Sequence, residues 1–243
     1  MRDEIGEMNQ HHVQEAYLKL FEDETGKLWV YPKNGGKPLH RPTKQCTVEE
    51  NFQSDELELF ENRFVETPGI KALCATGFLS ESENNSISSW MALHILRNQK
   101  LFESREDYDT RFKPEFEKER VFSGYYRFVF TYWPADDSHF FLTSDNPVIE
   151  FTVGDHLVRC CSISPQKMIL FSPINDRPTH ELRIEDFFNA MVYANAVEEV
   201  FCHRGDVSLE KLKGLTETCG IFPIKEDIGF EVENGAEEQP GLE

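Results

Sequence analysis

The hydrophobic period of this chain changes after Gly124. Up to about residue 120, apolar residues recur mostly at three- and four-residue spacing. After Gly124 come YYRFVFTYW, HFFLTSD, VIEFTV, LVRCCSIS and KMILFSP, aromatic and β-branched runs roughly ten residues apart with turn chemistry between them. Helices first and strands afterwards argue against an alternating βαβ fold. The order predicts an α+β protein. An N-terminal helical half packs on an antiparallel sheet, and one further long helix, IEDFFNAMVYANAVEEV, follows near the C-terminus.

Within the helical half, HHVQEAYLKLFE places Val13, Tyr17, Leu20 and Phe21 at helical spacing. GKLWVY reads as a strand, and KNGGK as a turn to a partner strand. SDELELFENRFVE is expected to be a helix capped by Ser54. Leu57, Phe60 and Phe64 lie on one face, and Thr67-Pro68-Gly69 stops it. IKALCATGFL reads as a short helix and SESENNS as a polar break. ISSWMALHILRNQKLF is an apolar helix, and SREDYDTRFKPEFEKER a charged one broken near Pro114. In the second half, VEEVFCHRGD is expected to leave the long helix as a short edge strand, and SLEKLKGL to form a short helix. The expected boundaries are a flexible tail over 1–10, a single domain over 11–230 (helical part 11–120, sheet-rich part 124–230) and a disordered acidic tail over 231–243.

Composition narrows the function classes. A net charge of −19 argues against extended binding of a nucleic-acid backbone, which needs a basic face, and leaves a protein partner met through an acidic surface. No run reaches the roughly 18–20 apolar residues of a membrane helix. MRDEIGEMNQ lacks an apolar signal core, so a cytoplasmic location is expected. The six cysteines show no CxxC or zinc spacing and read as reduced thiols. Cys160 and Cys161, adjacent on a strand, should point to opposite faces.

Polar chemistry concentrates in TSDNP. Asp and Asn bond their own backbone, and Pro sets a turn, so Ser144 to Pro147 makes a turn on local grounds alone. A strand end that presents Asp145 beside Asn146 also suits a metal or a phosphoryl oxygen. His11-His12 offers one general base or metal ligand. Glu61 lies beside the apolar stripe of an acidic helix, and Arg97 ends an apolar one, where a cation complements the helix dipole or grips an oxyanion. Asn189 and Asn195 sit within an apolar helix and need partners if buried.

HHVQEAYLKLF, followed by GKLWVYPK, and then LFENRF, WMALHILRNQK, FLTSDNPV and FNAMVYANAVEEVF together resemble the domain of unknown function 4238 family, found mainly in bacteria, over roughly residues 11–202. Gln14 stands where that family has Pro, and Asn98 where it has Thr or Ser. The resemblance implies no established activity, and it places some members near phage-defence genes. It groups His12, Glu61 and Asp145 as catalytic residues with Arg97, Asn146 and Asn189 as binding residues. His12 is preferred to His11 because His12-Val13 keeps the family's distance to Tyr17-Leu18 and Phe21. One base, two acids, one cation and two amides suit a hydrolase acting on a nucleotide or nucleic-acid phosphate, with a divalent cation as cofactor. The alternative is a non-catalytic acidic binding or regulatory module set in phage–host conflict.

Overall fold

The structure, a computed structural model, describes residues 9–11, 13–50, 53–75, 80–98, 102, 104–123, 128–136, 138–153, 155–175 and 183–219. The two expected tails, apart from residues 9 and 10, and His12 lie outside them. The fold is α+β, with every strand pair antiparallel.

The strands form one small ribbon and two four-stranded sheets, where the sequence predicts a single sheet. The ribbon pairs β1 (Asn9–His11) with β4 (Val48–Glu50). One sheet has the order β3-β2-β10-β6, from β2 (Leu28–Pro32), β3 (Leu39–Arg41), β6 (Thr143–Ser144) and β10 (Glu199–Cys202). The other has the order β5-β9-β8-β7, from β5 (Phe128–Tyr132), β7 (Ile149–Val153), β8 (His156–Ser164) and β9 (Lys167–Ser172). The expected turn at KNGGK joins β2 to β3, with Gly35 at φ 86°. HFFLTSD contributes only the two residues of β6. The segment EVFC is an inner strand rather than an edge, because β10 lies between β2 and β6.

Cys160 and Cys161 bear out the period-two reading of β8. Cys161 joins a core cluster with Tyr17, Leu28, Trp90 and Phe201, and Cys160 joins one with Phe141, Leu170, Phe188 and Val200. Cys46, Cys74, Cys160, Cys161 and Cys202 are free thiols.

The helices depart from expectation at their ends. After β1 the first helix is one α-turn, α1 (Glu15–Leu18), with a 3₁₀ turn over Lys19–Phe21. Ser54 caps α2 (Asp55–Glu61) as expected. Thr67-Pro68-Gly69 does not stop the chain there. A π-turn over Asn62–Glu66 leads straight into α3 (Thr67–Leu73), because Pro68 stands in a first turn, where no amide hydrogen is required. SESENNS belongs to α4 (Glu81–Asn98). Its signal is a capping box: Ser80 N–H donates to Glu83 Oε2 at 2.7 Å and Glu83 N–H returns to Ser80 Oγ at 3.3 Å. α5 (Arg105–Ser123) runs unbroken through Pro114, and Tyr108, Phe112 and Phe116 form its buried stripe. The long C-terminal helix is α6 (Ile184–Asn195), which ends before the exposed Val197, and α7 (Leu209–Cys219) follows. Among the described residues no helix is long and apolar enough to cross a membrane.

Candidate functional site

Glu61 and Arg97 meet. The Arg97 guanidinium lies between two carboxylates, with Nη2 at 2.6 Å from Glu61 Oε2 and Nη1 at 2.7 Å from Glu66 Oε1. Gln53 Nε2 donates to Glu61 Oε2 at 2.8 Å, and Tyr108 Oη–H donates to Glu61 Oε1 at 2.8 Å. Glu61 is wholly buried, not part of a solvated face, and Arg97 is 7% exposed. The cluster is walled by Leu57, Val65, Leu93, Leu96 and Phe112.

The π-turn explains this geometry. At 3.6 residues per turn, residues five apart lie roughly 140° apart around a helix, so Glu61 and Glu66 would diverge. The wider turn, with its five-residue hydrogen bonds, brings both carboxylates to Arg97. It also turns Phe64 out to solvent, although α-helical spacing placed it on the buried face. Burial pushes the Glu61 carboxyl up, and Arg97, Gln53 and Tyr108 offset part of that rise. For Arg97, burial works against the charge, but Glu61 and Glu66 outweigh it and raise its pKa well above the ordinary value.

Asp145 belongs to a separate set of partners. Its carboxylate accepts three main-chain hydrogen bonds, from Val197 at 2.8 Å, Glu198 at 2.6 Å and Glu199 at 3.0 Å. Burial raises its pKa, and the three amides oppose that. Asn146 Nδ2 donates to the Asn195 carbonyl at 3.2 Å. Asn195 Nδ2 answers to the carbonyls of Asn146 and Val148 at 3.0 and 2.8 Å. Asn189 accepts from Leu142 N–H and donates to Phe140 O, both at 2.8 Å. TSDNP is thus no hairpin turn. It carries the chain from β6 in one sheet to β7 in the other, and its polar groups dock that crossover onto α6 and the start of β10.

The expected constellation therefore divides. Glu61 and Arg97 converge with Glu66, Gln53 and Tyr108, whereas Asp145, Asn146 and Asn189 serve the sheet crossover. His12 lies outside the described residues. Among those residues no three His, Cys, Asp or Glu side chains gather as a metal site. Glu66 carries no signal at helical spacing because only a π-turn aligns it with Glu61. Gln53 precedes the helix cap, and Tyr108 carried a signal only as the first member of an aromatic i, i+4, i+8 stripe. No protein-family model, curated protein or solved structure matches the chain.

Proposed function

We propose that this is a cytoplasmic, non-catalytic binding module that meets a basic protein segment, as a relative of the domain of unknown function 4238 family. One observation carries the reading. The polar residues that would furnish a catalytic pocket are committed to the fold, Arg97 to two carboxylates and Asp145 to three backbone amides. The outward side of the same helical region offers a surface instead. Leu59 is 66% and Phe64 60% exposed, and Phe64 borders a groove of about 390 Å³ lined by Glu81, Ser82, Asn85, Ser86 and Ser89. Ser82, Asn85, Ser86 and Ser89 fall at helical spacing along one face of α4. With Asp55, Glu56 and Glu81 exposed nearby in sequence and a net charge of −19, the complementary ligand is cationic with an apolar anchor.

Calorimetric titration with a lysine-rich peptide carrying one leucine or phenylalanine tests this. Binding should weaken with salt, and Phe64→Ser should weaken it by about tenfold or more. Unchanged binding by Phe64→Ser would reject the surface. Turnover of nucleotides or oligonucleotides with Mg²⁺ or Mn²⁺, lost in a folded Glu61→Gln variant, would restore the hydrolase reading, which draws on the burial-raised carboxyl of Glu61 beside Arg97.

A further inference from the structure

The loop before β6 holds a second set of titratable groups. Asp136 Oδ1 accepts from Ser138 N–H at 2.8 Å and Ser138 Oγ–H at 2.5 Å, and lies 2.7 Å from His139 Nδ1. Hydrogen bonds from Ser138 and His139 hold the Asp136 carboxyl at about 2, so near neutrality it can only accept. His139 must therefore carry a proton on Nδ1, which leaves Nε2 to choose its own partner.

Two groups at the start of α6 face Nε2. Arg183 Nη1 touches it, and Glu185 Oε1 lies 3.7 Å away. A guanidinium only donates and a carboxylate only accepts, so one ring nitrogen cannot serve both in a single protonation state. Glu185 is 2% exposed, and among the described residues neither of its oxygens has a hydrogen bond. Even Arg183 Nε stands 3.8 Å from it. A buried carboxylate so placed is costly unless a second state of the cluster satisfies it.

We propose that His139 is a proton-operated switch: neutral, it accepts a hydrogen bond from Arg183; protonated, it donates to Glu185 and releases Arg183. The proton comes from solvent and adds to Nε2. Arg183 keeps an acid in either state, because its Nη2 and Nε hold Asp186 at 2.8 and 3.0 Å. From α7, Lys211 Nζ holds the other Asp186 oxygen at 3.1 Å. From the segment after β10, Arg204 reaches the Ser138 carbonyl at 3.5 Å while paired with Asp206, and His203 packs edge-on against Phe140. Each of these groups already has a partner and leaves the choice at Nε2 to Arg183 and Glu185. The output is an Arg183 Nη1 released from the ring at the surface, while Nη2 and Nε stay on Asp186.

Long-range proton–nitrogen NMR of the histidine rings from pH 8 to 5, with His139 assigned from a His139→Gln spectrum, reads both ends of the switch. At high pH the ring should be the Nδ1–H tautomer. The Arg183 Nε–H signal should move with the same midpoint as the ring. E185Q removes the carboxylate that favours the imidazolium and should lower that midpoint by about one pH unit or more. R183Q, at an exposed position, removes the competing cation and should raise it. An Nε2–H tautomer at high pH, an Arg183 signal that stays flat through the ring titration, or midpoints unmoved in both variants would each overturn the proposal.

Discussion

Arg97 shows how one residue can look like a binding group in sequence and act as a keystone in structure. A cation at the end of an apolar helix has two ordinary explanations, a dipole partner or an anion receptor. Here it neutralises part of a buried pair of acids. Removing it leaves Glu61 and Glu66 side by side without their counter-charge, so Arg97→Met should cost about 3–5 kcal/mol in urea-induced unfolding. Glu61→Gln in the same background should recover part of that loss, since it removes one of the stranded charges; an additive double variant would reject the pairing. Asp145 makes the opposite point. Its neighbours Ser144, Asn146 and Pro147 announce a turn in the sequence, and a local turn motif bonds its own backbone. The carboxylate instead reaches residues more than fifty positions away, which no local rule specifies.

At the scale of elements, the periodicity located most helices and misjudged where they end. Ser54 is legible because a cap is a contact between near neighbours in sequence; the Ser80–Glu83 box carries the same kind of signal, but SESENNS reads as a polar break because it is uniformly polar. Thr67-Pro68-Gly69 misleads because its effect depends on a distant partner. A Cβ at Gly69 would lie 2.5 Å from Cβ of Trp90, so the glycine is where α3 meets α4 at closest approach. Gly69→Ala should force the two helices apart at a cost of about 3 kcal/mol, despite alanine's better helix propensity. A thermal melt showing a stabilised Gly69→Ala protein would contradict this packing. Pro114 likewise fails to break α5, whose Tyr108, Phe112 and Phe116 are all buried in one cluster.

Across the whole molecule, a second buried arginine repeats the pattern of the first. Arg159 on β8 bonds Glu150, its register partner on β7, at 2.8 Å, and lies 2.5 Å from Glu119 of α5. α5 thus touches both centres, through Tyr108 at one end and Glu119 at the other, and ties the helical part to the sheet. Burial raises the carboxyls of Glu61, Glu119, Asp145 and Glu199 above their ordinary range. A raised carboxyl binds its proton more tightly folded than unfolded. Its contribution is therefore full below the ordinary range near 4 and is lost as pH rises through the folded value. The carboxyls of Asp23 and Asp136, held at about 2, stay ionised in both states above pH 5 and drop out of the comparison. His203, lowered by burial, works in the other direction. The melting temperature should rise from pH 7 to pH 5, helped by relief of the −19 net charge. Glu61→Gln should flatten that rise; an identical slope would show that Glu61 does not contribute.

The sequence by itself determined the α+β class, the antiparallel pairing, the hairpin at KNGGK and the opposed faces of Cys160 and Cys161. Each depends on a period or a turn that neighbouring residues impose on one another. Only the tertiary structure decided that the strands divide between two four-stranded sheets, that TSDNP crosses from one to the other, and that Glu66 joins Glu61 at Arg97. Those outcomes rest on contacts between residues far apart in the chain, and on a π-turn that changes the helical period on which the local reading depends.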